Sequence, residues 1–166
     1  MLPNSLHRLL QDDHERLAAL FDGACRNGAV DVASFDAFRA GLLRHIGMEE
    51  KILLPAAKRL RGGEPLPLAR QMKLDHSALA ALLVPTPTPE LVERLRALLD
   101  LHNAMEEEEG GVYAQCDQIA REGRDALLAE LQNAPPVKLN PYQDTPRAFA
   151  SLERLLCATG REPFEP

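Results

Sequence analysis

The chain has no basic surface to offer. Its 19 Lys and Arg residues are outnumbered by 25 Asp and Glu, for a formal charge of -6. Without a cluster of cations to neutralise phosphates, a nucleic-acid partner is not expected. Long apolar runs are missing as well, since Arg8, Gln11, Asp12 and Asp13 interrupt the opening segment. Neither a secretory leader nor a membrane span is therefore expected, and the chain reads as soluble and cytoplasmic. Cysteine is scarce: Cys25, Cys116 and Cys157 are odd in number and widely separated, poor material for a disulfide framework or a CxxC metal knot, and they read as free thiols. Strand-like alternation of useful length is absent. A length of 166 residues suits one domain with a substantial core and is too short for two comfortable ones.

What is present is helical periodicity. Between Ser5 and Asn27 apolar residues recur at Leu6, Leu9, Leu10, Leu17, Leu20, Phe21 and Ala24, which predicts a first helix capped by Ser5 or Asn4 and stopped at Gly28. A second segment, capped at Ser34, carries Phe35, Phe38, Leu42, Ile46, Ile52 and Leu53 toward a kink or break at Pro55 and stops at Gly62-Gly63. The third opens near Pro67 and runs through Met72, Leu79 and Leu83 to the stiff connector Pro85-Thr86-Pro87-Thr88-Pro89. The fourth starts near Glu90, bends at Gly110-Gly111 and continues to Leu131. Four long helices with short connections predict an all-α, antiparallel up-down-up-down four-helix bundle over residues 1–131. Residues 132–166 are expected to form a C-terminal tail, irregular as far as Pro146, with a short helix from Phe149 to Leu156. Tyr142, Phe149, Leu152, Leu155 and Leu156 predict that this tail packs on the bundle.

Histidine is sparse, with five in the chain, and its placement is the most informative feature. His45-x-x-x-Glu49 and His102-x-x-x-Glu106 repeat one spacing, which sets an imidazole and a carboxylate one turn apart on one helix face. The first segment adds His14 and the third adds His76, and in antiparallel order all four reach one level of the core. Imidazole nitrogen with carboxylate oxygen suits iron, manganese or zinc, and a carboxylate can bridge two ions where a histidine cannot. The expected site is a metal pair with two histidines per ion and with Glu49 and Glu106 bridging. If both ions are six-coordinate iron joined by an oxo or hydroxo bridge, one position on each stays open to dioxygen, peroxide, nitric oxide or water.

Taken singly, these residues have duller readings. A lone histidine on an apolar face is usually a core residue, and Glu106 to Glu109 would be a solvated charge run. The joint pattern, one histidine per helix plus two mirrored pairs, is what favours metal. Asp13, Asp75, Glu50, Glu107 and Glu108 adjoin the ligands and are expected to point away, in solvent or cap roles. His7 lies about two turns before His14, too far along the helix to share its ion. Met48, Met72 and Met105 read as core fillers, with Met72 a candidate wall of an exogenous-ligand pocket.

Asp13-His14, His45-x-x-x-Glu49-Glu50-x-x-Leu53-x-Pro55, Asp75-His76 and His102-x-x-x-Glu106-Glu107 together resemble the hemerythrin-like, or HHE cation-binding, family over residues 5–131. The resemblance implies a four-helix bundle around a non-haem di-iron centre, with His14, His45, His76 and His102 as terminal ligands and Glu49 and Glu106 as bridges. Where oxygen-carrying hemerythrins place a fifth histidine, one turn before the third-helix ligand, this chain has Met72. It resembles the four-histidine versions of the family, which implies a more accessible centre than that of a simple reversible oxygen carrier.

The leading expectation is a di-iron protein that binds or senses oxygen, nitric oxide, redox state or iron, read out by a second copy or a regulatory partner. The alternatives are a di-iron enzyme acting as a peroxidase, an oxidase or a nitric-oxide handler, and a structural zinc-binding bundle. The enzyme reading requires a proton donor beside the ions, and no residue announces itself as one.

Overall fold

Ser5 accepts a hydrogen bond from the Arg8 amide at 3.0 Å and so caps α1 (Leu6–Ala24), the usual service of a serine at a helix N-terminus. The structure is a computed structural model that describes residues 5–162 and 164; Asn4, the alternative cap, lies outside them. α1 ends at Ala24 rather than Asn27. Asn27 and Gly28 take positive φ angles of 54° and 72°, the turn that favours a two-residue hairpin, and Cys25–Arg26 (β1) pairs antiparallel with Ala29–Val30 (β2). Apart from this ribbon, the described residues are helical or irregular.

α2 (Val32–Met48) is capped by Asp31, whose carboxylate accepts from the Ser34 amide. It continues without interruption into a π-helical turn, Glu49–Leu53, and then α3 (Leu54–Leu60). The break expected at Pro55 is therefore absorbed. Proline lacks an amide hydrogen and crowds the carbonyl one turn back, and the wide turn, in which Leu54 N–H reaches the Glu49 carbonyl, accommodates it. Such turns often mark functional positions; this one begins on Glu49.

α4 (Ala69–Leu82) is followed by the proline connector and then by α5 (Pro89–Glu107), capped by Thr88. The fourth predicted segment is not one bent helix. α5 stops ahead of the glycine pair, α6 (Val112–Ile119) starts afresh, and α7 (Arg124–Gln132) follows a second break. The first break needs glycine. Gly110 has φ 79°, and a Cβ on Gly111 would lie 2.7, 2.8 and 2.9 Å from the carbonyl oxygens of Glu106, Met105 and Glu108. Backbone cannot yield as a side chain can, so Gly111→Ala is expected to destabilise the protein by roughly 1–3 kcal/mol, the usual range for overpacking. Urea denaturation measures this, and an unchanged midpoint would refute it.

The tail is held along its length. Arg44 donates to the Gln132 and Ala134 carbonyls, and Arg39 donates to the Asn140 carbonyl while its guanidinium lies 4.2 Å over the Tyr142 ring. α8 (Pro146–Ala158), capped by Thr145, packs chiefly on α4 and buries Leu152 and Leu156. Phe149, expected to pack inward, is 39% exposed. No described helix is long and apolar enough to cross a membrane.

Two apolar cores result. One gathers Leu17, Phe21, Leu42, Leu79 and Leu98, with Leu152 and Leu156 of α8; the other gathers Leu10, Met48, Met72, Met105, Val112, Tyr113 and Leu131. In each of α1, α2, α4 and α5 a histidine falls at the boundary between them. α1 and α4 pass from the second core to the first, whereas α2 and α5 pass from the first to the second. A polar layer thus separates the two cores.

Candidate metal centre

That layer contains His14, His45, Glu49, His76, His102 and Glu106, all buried, with exposures from 0% for the two glutamates to 8% for His14. Their donor atoms converge in two groups that can hold metal ions: Glu49, His76, His102 and Glu106 in one, and His14, His45 and Glu106 in the other, the atoms of each lying within 4.8 Å of one another. Glu106 is common to both. Glu49 spans them as well, since its Oε2 is 3.1 Å from His76 Nε2 and 3.6 Å from His45 Nε2. His102 Nε2 approaches Glu106 Oε1 at 3.0 Å and His76 Nε2 at 3.2 Å.

Every imidazole turns its other nitrogen to a carboxylate. His14 Nδ1 donates to Glu107 Oε1, His45 Nδ1 to Asp13 Oδ2 at 2.9 Å, His76 Nδ1 to Glu50 Oε1 at 3.0 Å, and His102 Nδ1 to Asp75 Oδ2 at 3.3 Å. Four of the residues expected to face outward are the supports that orient these imidazoles, an arrangement that metal-binding histidines commonly show. The expectation failed because it considered each helix alone. Asp13 points off the His14 face of α1, and that direction is toward α2. The pattern is cyclic: α1 supports the histidine of α2, the turn after α2 supports that of α4, α4 supports that of α5, and α5 supports that of α1. Glu108 belongs to no such pair.

The supports fix the chemistry of the inner atoms. A carboxylate only accepts, so each Nδ1 carries the hydrogen and each neutral imidazole presents a bare Nε2 lone pair to the centre. His76 Nε2 and His102 Nε2 then face each other as two acceptors, and Glu49 Oε2 and Glu106 Oε1 are buried without a hydrogen-bond partner. Such a set is repulsive and costly to desolvate unless cations enter it. Without metal the compensation comes from protons. Burial opposes charge on His45 and His102, but the Glu49 and Asp13 carboxylates push the first up to about 10, and Glu106 with Asp75 does the same for the second. Burial likewise opposes charge on Glu49, yet His45 and His76 hold its carboxyl well below the ordinary range. A pair of metal ions satisfies the same atoms, so the residues present fit a metal; they do not select which one.

The tail reaches this layer. Arg161 donates to both oxygens of Asp75, at 3.3 and 2.6 Å, and Gln71, which also donates to the Thr159 carbonyl, adds a bond of 2.8 Å. Burial would raise the Asp75 carboxyl, but His102, Arg161 and Gln71 keep it low. The support of His102 is thus itself clamped from beyond α8.

One inner residue was not anticipated. Tyr113, fully buried on α6, places its hydroxyl 2.7 Å from Glu49 Oε1 and 3.0 Å from Glu106 Oε2. A continuous fourth helix would have carried this residue about 10 Å past Glu106; the break at Gly110-Gly111 folds it back. His7, outside the centre as expected, packs edge-on against the Tyr113 ring with centroids 5.8 Å apart. Met72 is buried in the second core and does not line the cavity described next. Among the cysteines, which are all free, burial pushes the Cys116 thiol up to about 12, and the low thiolate fraction makes it inert.

A cavity of about 70 Å³ opens onto His14, His45 and His102. Leu17, Ala18, Phe21, Phe38, Leu42, Ile46 and Leu99 give it an apolar wall, and Arg96, Asp100 and Asn103 complete it. It has room for a few small molecules and is well below the size that encloses an organic substrate. No family model matches the chain, and no curated protein or solved structure matches it significantly.

Proposed function

We propose that this chain is a hemerythrin-like protein that binds a pair of iron ions and through them a small ligand such as dioxygen, nitric oxide or peroxide, as a sensor or binder rather than a processor of large substrates. The observation that carries the reading is the pair of buried donor groups that share Glu106. The alternating order in which α1, α2, α4 and α5 cross the two cores supports an up-down-up-down bundle around them. The small apolar cavity beside three of the histidines supports a ligand of a few atoms. His14 and His45 would hold one ion, His76 and His102 the other, with Glu49 and Glu106 between. Bound there, iron supplies a change of oxidation state and positions open to small ligands.

Metal content per chain, measured on protein produced with supplemented iron and read beside its visible absorption before and after reduction, tests this. About two irons, as the two donor groups imply, with absorption that bleaches on reduction, is the expected result. Stable zinc that iron fails to displace would overturn it in favour of a structural bundle.

A further inference from the structure

The Tyr113 hydroxyl has more neighbours than one proton can serve. Besides Glu49 Oε1 and Glu106 Oε2 it lies 3.2 Å from His14 Nε2 and 3.3 Å from His45 Nε2. With both Nδ1 atoms already donating, all four neighbours are acceptors when the imidazoles are neutral, the form that can bind a metal. One O–H bond satisfies one of them, and the remaining three face the oxygen lone pairs at hydrogen-bonding distance with nothing between. A cation among them removes the conflict.

The distances also have the right size. Ligands at right angles around a first-row ion with bonds of about 2.1 Å are about 3 Å apart. The Tyr113 oxygen stands 2.7 to 3.3 Å from its four neighbours, no farther than the 3.0 to 4.0 Å that separates the inner histidines from the glutamates. It therefore sits as a member of the donor set, not behind it. Among the described residues no hydroxyl reaches His76 Nε2 or His102 Nε2.

We propose that Tyr113 is a ligand of the ion held by His14 and His45, so that the two ions are inequivalent, one with a phenol oxygen and the other without. The inference rests on the metal-pair reading above. Its hydroxyl proton leaves to solvent as the ion binds, as the proton of a coordinating thiol does, and no electron is exchanged. A hard, anionic oxygen favours the ferric state of that ion.

The test is resonance Raman spectroscopy of the ferric protein, excited in the visible, on the wild type, on wild type carrying ring-deuterated tyrosine, and on Tyr113→Phe. Tyr142, the other tyrosine, stacks on Arg39 in the tail, so any iron-enhanced tyrosine mode belongs to Tyr113. Enhanced ring modes that shift on deuteration, and that disappear with the visible band in Tyr113→Phe while two irons remain bound, are expected. An iron-loaded wild type whose enhanced modes are insensitive to deuteration would overturn the assignment and leave the metal pair standing, whether or not the variant folds. Failure of the wild type to take up iron would overturn the metal reading itself, and this inference with it.

Discussion

Glu106→Ala is expected to release both metal ions, whereas His14→Ala releases only one. Glu106 supplies an oxygen to each donor group, and His14 belongs to one of them. A loaded centre also stabilises the fold by mass action. At a free metal concentration about a thousand times Kd the gain is ~4 kcal/mol, and for a domain of this size each kcal/mol moves Tm by roughly 2–4 °C. Metal should thus raise the wild-type Tm by roughly 8–16 °C, and it should not raise that of Glu106→Ala. Glu106→Gln keeps the shape of the side chain while lowering its donor strength, which separates lost coordination from a packing defect. Elemental analysis with paired melting curves decides the matter. A Glu106→Ala protein that still held one ion would mean that the carboxylate is not shared.

Removing the metal is expected to reverse the slope of stability against pH above neutrality. In the ion-free protein His45 and His102 stand at about 10, against an ordinary value of 6.5. Groups raised on folding contribute stability that is fully present below the unfolded value and is lost as pH rises through the folded one. The ion-free protein should therefore weaken steadily between pH 6.5 and about 10. Metal must displace those same protons, so the loaded protein gains affinity, and with it stability, as pH rises from the acid side. Below the ordinary carboxylate range both forms fail, because Glu49 is held low by folding and its stabilisation is lost as pH falls through the depressed value. Melting curves across this range, with and without metal, should cross. Calorimetry in buffers of different ionisation enthalpy should show net proton release on metal uptake; no release at neutral pH would contradict the protonated histidines.

The sequence singled out the six inner histidines and glutamates that the structure brings together, because helical spacing alone decides which face His45 and Glu49, or His102 and Glu106, share. It was less informative wherever a residue acts across a gap between helices. Asp13, Glu50, Asp75 and Glu107 sit beside ligands in the chain and off the ligand face, which reads as solvent until the neighbouring helix is in place. Tyr113 was hidden for a different reason. Its position depends on how the chain turns at Gly110-Gly111, and two glycines announce an interruption without saying which way the chain leaves it. The proline in His45-x-x-x-Glu49-Glu50-x-x-Leu53-x-Pro55 promised a break and yielded a π turn, since the sequence names the missing amide hydrogen and not the geometry that compensates for it. The clamp of Arg161 on Asp75 likewise depends on a tail whose course no periodicity encodes.

The cyclic order of the supports limits what can be moved elsewhere. A designer who transplants α2 with its whole motif takes His45 and Glu49 but leaves behind the Asp13 that aims the imidazole, and brings Glu50, which aims a histidine no longer present. Adding α1 repairs His45 and strands His14, whose support is on α5. No run of one, two or three of these helices closes the circuit, so the smallest graft that carries a correctly aimed set of ligands is all four together.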